Sequence, residues 1–321
     1  MGQVCFGADI GGTTVKLGLV SREGELLEKR EFPTQRDLSG AFDDIAGHIR
    51  QIMERFPDEH CVGVGVGVPG PVVDQSLVRG CVNLGWGDVD VARELGRRVE
   101  LPVRAGNDAN LATLGEQWQG AGKGCRNLVM LTVGTGVGGG IICGGRVIAG
   151  ASGGGGEVGH LSLPFRPDWQ CSCGKYGCLD VTASATGIIR AAREYSPFKE
   201  MEKVTAKDVY DAAGAGDENA KRVVNEAGQA LGMAAAMLAC VVNPEMVLLG
   251  GGVSAAGQAL LDPVEAAFRE NVFPPCGSVR FALAQLGNNA GIYGGAALFF
   301  TQDDGYFFLR EKVYKKSKLA D

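Results

Sequence analysis

The chain has 321 residues, 45% of them hydrophobic, and a formal net charge of −6. That length can hold two cores, the acidic balance argues against a nucleic-acid-binding surface, and no stretch approaches the roughly 18 consecutive apolar residues of a membrane span. Ten cysteines, mostly scattered singly, and an N-terminus that runs straight into Val4-Cys5-Phe6 without a basic and apolar leader predict a cytoplasmic protein with reduced thiols.

Residues 3–9 read as a buried strand, Gly11-Gly12-Thr13-Thr14 as a tight turn, and residues 15–20 and 26–32 as two further strands. Apolar positions at helical spacing predict a helix over 38–55. Residues 61–68 alternate Gly and Val and stop at Pro69-Gly70-Pro71, a strand ended by a turn. A helix is expected over 89–99, a strand over 102–105 and a helix over 109–118. Gly120-Ala121-Gly122-Lys123-Gly124 is the best linker, and beyond it the opening pattern recurs: strand 127–133, glycine turn 134–140, then strands 141–142 and 146–148. Helices over 183–195, 205–213 and 217–241, strand 246–249, helix 258–271, strand 279–284 and helix 290–300 follow. The repetition predicts an α/β protein of two similar lobes, residues 1–119 and 120–321, with a C-terminal helix packing back on the first lobe. The basic tail over 310–318 reads as a short solvated helix.

The glycines, 51 in all, concentrate in a few loops and so mark close backbone approach. Gly134 to Gly139 matches GxGxxG and Gly250 to Ala255 its alanine variant, but the first lacks a following helix and the second a following acid, so neither supports a dinucleotide site. No GxxxxGK[ST] occurs. What remains is a pair of glycine–threonine turns between strands, Gly11-Gly12-Thr13-Thr14 and Gly134-Thr135-Gly136-Val137-Gly138, whose N–H and hydroxyl donors suit phosphate. Asp9, at the end of a buried strand beside the first turn, is placed to hold a hydrated Mg2+. His160, Cys171, Cys173 and Cys178 follow an H-x10-C-x-C-x4-C spacing that fits a closed tetrahedral Zn2+ site, a brace with no open position for catalysis.

The opening Asp9-Ile10-Gly11-Gly12-Thr13-Thr14, the Asn107-Asp108-Ala109-Asn110 segment, the second turn, Glu157-Val158-Gly159-His160 with its CxCGxxGC loop, and Asn243-Pro244 leading to Gly250-Gly251-Gly252 together resemble the ROK family. The likeness runs from residue 4 to about 300, and its glucokinase branch matches best. It implies the actin-like ATPase (ribonuclease H-like) fold with a cleft between the lobes, and ATP-dependent phosphorylation of the 6-hydroxyl of glucose. Asp108 would be the general base; Asn83, Asn107, Glu157, His160 and Asp180 would hold the sugar. Asp9, Lys16 and the two turns would serve ATP and Mg2+, while Gly251, Gly252 and Asn289 would line the adenosine pocket. Where the family usually has Cys-Leu-Glu, this chain has Cys178-Leu179-Asp180. An N-acetylmannosamine kinase is the nearest alternative. A sugar-sensing repressor is disfavoured because no helix-turn-helix precedes the first strand. The resemblance also implies a homodimer or higher homo-oligomer, with no nucleic acid or membrane as partner.

Overall fold

The computed structural model describes residues 2–81 and 84–301, so Asn83 and the tail over 310–318 lie outside the described residues. Three strands, β1 (Gln3–Ile10), β2 (Thr14–Ser21) and β3 (Leu26–Pro33), form an antiparallel meander. Helix α1 (Leu38–Met53) starts at Asp37, whose Oδ1 accepts the Gly40 N–H at 2.7 Å, and it buries Phe42, Ile45, Ile49 and Ile52 against the sheet. Strand β4 (His60–Val68) then pairs parallel with β1. A small sheet of β5 (Val72–Val73), β6 (Leu77–Val78) and β7 (Val89–Asp90) follows, then α2 (Val91–Val99), β8 (Val103–Asn107) and α3 (Asp108–Gln119). The first large sheet has the order β3-β2-β1-β4-β8.

The second half repeats the plan with β9 (Leu128–Val133), β10 (Val137–Cys143) and β11 (Arg146–Val147). It continues through α4 (Leu179–Ala183), α5 (Ala185–Ala192), α6 (Ala206–Gly214), α7 (Glu218–Val242), β12 (Met246–Gly250), α8 (Gln258–Asn271), β13 (Arg280–Leu283) and α9 (Ala290–Phe300). Its sheet order is β11-β10-β9-β12-β13. In each sheet two antiparallel pairings are followed by two parallel ones. The duplication expected from the sequence is therefore present at the level of strand pairing. By length and composition α7 could cross a membrane, yet most of its apolar stretch is buried against its neighbours in the second core.

Two sequence expectations change. The glycines at 138–140 are not a turn but the body of β10, because α3 lies directly on them: an added Cβ at Gly140 would sit 2.1 Å from Thr113 Oγ1. The helix expected over 183–195 is shorter, α5 over Ala185–Ala192, with α4 a separate helix ahead of it. Ser184 is extended between them, and its side chain accepts the Gly187 N–H at 3.0 Å to cap α5. The small three-stranded sheet had no expectation at all, since two-residue strands leave no readable alternation.

Candidate active site

Asp108 is the first residue of α3, immediately after β8. Asn107 caps the helix by accepting the Asn110 N–H at 3.1 Å and donates from Nδ2 to the Gly70 carbonyl at 3.2 Å. Asp108 Oδ1 accepts the Ala109 N–H at 2.8 Å. Burial pushes the Asp108 carboxyl up to about 6; the negative charges of Asp9 and Glu157 add to the rise, and the Ala109 N–H opposes it. Asp9 is also raised by burial, against the opposing pull of Lys16, its cross-strand partner. Lys16 Nζ donates to Asn288 Oδ1 at 3.5 Å, which links the first turn to the segment before α9.

Both glycine–threonine turns present donors to solvent. In the first, Gly11 N–H bonds the Thr14 carbonyl at 3.0 Å, Thr34 Oγ1 donates to the Gly11 carbonyl at 2.7 Å, and Gly12 and Thr13 are exposed. In the second, Gly134 N–H bonds the Gly136 carbonyl at 2.9 Å and Thr135 and Gly136 are exposed. Val137 N–H donates to Asp180 Oδ1 at 2.6 Å, so Asp180 turns an oxygen toward this turn. Gly251, at φ 83, lies against the end of β9, where an added Cβ would be 2.4 Å from the Val133 carbonyl oxygen; beyond Gly252 the space is open. Asn289 ends a 3-10 turn before α9, and its buried Oδ1 has no hydrogen-bond partner among the described residues.

Glu157 and His160 stand at the start of the metal-like loop, with His160 Nε2 4.0 Å from Glu157 Oε2. The other ring nitrogen faces the thiols: His160 Nδ1 is 3.6 Å from Cys171 Sγ, and Cys173 Sγ is 3.7 Å from Cys178 Sγ. One ligand atom from each of the four residues falls within 4.8 Å of the others. The loop closes on itself through Cys171 N–H to the Lys175 carbonyl and Leu163 N–H to the Gly177 carbonyl, each at 2.8 Å. Sequence reasoning missed the supports of the second turn. Thr186 Oγ1 donates to the Thr135 carbonyl and Ala185 N–H to the Gly134 carbonyl, both at 2.8 Å. Nothing in the spacing of Thr182 to Gly187 reveals which loop that segment touches.

Two matched sheets, each carrying a glycine–threonine turn between antiparallel strands, with a buried carboxylate at a helix start, define an ATPase of the actin-like fold with a cleft between its lobes. Within that class, the sequence matches the ROK family over residues 5–302, and the chain belongs to that family. It is 40% identical to a glucokinase of Halalkalibacterium halodurans, over 93% of this chain and 95% of that protein. It is similar to a ROK family glucokinase from Streptomyces griseus solved with glucose and AMPPNP, at TM-score 0.74 and 31% identity, covering 92% of this chain and 98% of that one. It is also similar to a ROK family transcriptional regulator, a homologue of the E. coli MLC protein, at TM-score 0.83 and 26% identity, covering 94% of this chain and 78% of that one.

Proposed function

We propose that this protein is an ATP-dependent glucokinase that transfers the γ-phosphoryl group of ATP to the 6-hydroxyl of glucose. The observation that carries the reading is Asp108, a buried carboxylate at the start of α3 with its carboxyl raised to about 6. At neutral pH it is ionised, yet basic enough to accept the proton of an attacking hydroxyl. Asn107, Glu157 and His160 would hold the sugar hydroxyls, and Asn83 would join them. The N–H and hydroxyl groups of the two turns would hold the phosphates, and Asp9 and Lys16 stand beside the first of them. Mg2+ bound with ATP supplies charge neutralisation between the phosphates. Gly251, Gly252 and the unpartnered Asn289 Oδ1 would receive the adenosine.

The four soft donors suit Zn2+. Tetrahedral zinc with Zn–S near 2.3 Å and Zn–N near 2.0 Å separates two sulfurs by about 3.8 Å and a sulfur from a nitrogen by about 3.6 Å; the 3.7 Å and 3.6 Å separations here agree with that. Coordination through Nδ1 leaves His160 Nε2 for a sugar hydroxyl and fixes the ring's tautomer. The reading includes a cytoplasmic enzyme that works at the entry of glucose into glycolysis. A kinase for 2-substituted hexoses such as N-acetylmannosamine is the second reading, favoured by Asp180 being one methylene shorter than the usual glutamate.

A coupled assay with MgATP over glucose, mannose, glucosamine and N-acetylmannosamine tests the proposal. Glucose is expected to have the highest kcat/KM. Turnover of no hexose, with sugar binding retained, would make the protein a sensor instead, and N-acetylmannosamine ahead of glucose would move the enzyme to the second reading.

A further inference from the structure

We infer that Asp180 is a positioning residue for the nucleotide: its carboxylate sets the second glycine–threonine turn and thereby governs ATP affinity. The inference rests on the kinase reading for its substrate, but its observations are independent of that reading. Asp180 Oδ1 accepts the Val137 N–H at 2.6 Å, across 43 residues of chain. Gly136 takes part in the same contact, because an added Cβ there would lie 2.7 Å from Asp180 Oδ1. Only glycine at 136 lets the carboxylate come this close.

The turn is also held at two of its carbonyls. Ala185 N–H and Thr186 Oγ1 bond the carbonyls of Gly134 and Thr135, each at 2.8 Å. With Val137 N–H taken by Asp180 and the Gly134 and Thr135 carbonyls bonded from α5, the N–H groups of the exposed Thr135 and Gly136 have no acceptor among the described residues. An anion site needs converging N–H donors with carbonyls turned away. Asp180 enforces that arrangement with a charge-assisted bond, the stronger kind. It follows the fully buried Leu179 and the thiol residue Cys178 directly, so the cysteine loop and the phosphate turn are joined by two residues of chain.

The carboxylate acts here through geometry, so an amide that keeps an acceptor oxygen should replace it and a methyl should not. Asp180→Ala should raise KM for MgATP about tenfold, the equilibrium equivalent of one lost charge-assisted hydrogen bond. Asp180→Asn should return KM for MgATP to within about threefold of wild type. Gly136→Ala, which disturbs the contact from the turn's side, should reproduce the Asp180→Ala effect and guards against a folding defect in the first variant. Titration calorimetry with magnesium and a non-hydrolysable ATP analogue, with no sugar present, reads the same change in Kd without turnover. If wild type phosphorylates no hexose while the calorimetric ratios hold, the kinase reading fails and this inference stands. A change confined to KM for glucose, or Asp180→Asn as impaired for nucleotide as Asp180→Ala, overturns it.

Discussion

Asp108 combines a catalytic demand with a cost to the fold. Its carboxyl is raised from 3.8 to about 6 chiefly because burial disfavours the charged form. The direction fixes two expectations. Activity requires the ionised form, so kcat/KM for glucose should fall below a pH of about 6 with the slope of one proton, and Asp108→Asn should reduce turnover at least ~10²-fold above that pH, the deficit narrowing below it. Stability runs the other way. The folded state binds the proton more tightly than the unfolded one, so the charged carboxylate destabilises the fold fully above about pH 6. That penalty fades as pH falls from there toward 3.8. Asp108→Asn should therefore melt at or above the wild-type temperature at pH 8, with the difference shrinking as pH drops through that window. A variant that melts lower throughout, or retains normal turnover, removes the residue from this role. The position of Asp108 between a strand and a helix was legible in the sequence. Its raised carboxyl was not, because it depends on burial and on Asp9 and Glu157, which are distant from Asp108 in the chain.

At the scale of elements, the cysteine loop and the ends of α3 show the two kinds of support the site has. Between Cys171 and Cys178 the only large apolar side chain, Tyr176, is exposed, so bound metal should supply much of that segment's stability. Cys173→Ser is expected to lower zinc content from about one per chain and to raise KM for glucose, since Glu157 and His160 lead into the same loop; metal analysis paired with kinetics checks it. Zinc-free native protein with full activity would end the brace. Helix α3 is anchored differently. Glu116 is fully buried, and its carboxylate accepts N–H bonds from Ala121 at 2.9 Å, Leu286 at 2.7 Å and Gln285 at 2.9 Å. It thus ties α3 both to the linker before β9 and to the segment before α9. Glu116→Ala leaves three N–H groups without their acceptor and should cost about 2–4 kcal/mol by chemical denaturation. In the sequence a glutamate on a helix reads as solvated, so this brace left no signal. The strands were easier: alternation marked most of both large sheets, and it failed at 138–140 because a glycine run looks the same whether it turns or lets a helix approach.

At the scale of the whole molecule, the duplication and a C-terminal helix returning to the first lobe were expected from the sequence, and the glycine contacts that seat that helix were not. Helix α9 follows β13 of the second sheet but packs on β1 and β4 of the first, beside α3. The Gly291-Ile292-Tyr293-Gly294-Gly295 stretch reads in sequence as a plain apolar helix, and glycine there should only weaken it. The structure supplies the reason for tolerating that cost. An added Cβ at Gly294 would lie 1.8 Å from the Leu111 carbonyl oxygen of α3, and one at Gly295 would lie 2.6 Å from the Gly65 carbonyl oxygen of β4. Backbone on both sides leaves nothing soft to yield. Because Gly291 also abuts the Asp9 side chain, a displaced α9 would disturb the first phosphate turn. The same substitution should therefore have opposite signs in two helices. Gly47→Ala in α1, where an added methyl meets nothing within 4 Å, should stabilise by roughly 0.5–1 kcal/mol through helix propensity. Gly294→Ala should destabilise by about 1–3 kcal/mol or more, as overpacking against backbone does, and should raise KM for MgATP with it. Paired melting curves and kinetics decide the matter. If Gly294→Ala matches Gly47→Ala, the glycine seam does not set the spacing between α9 and α3.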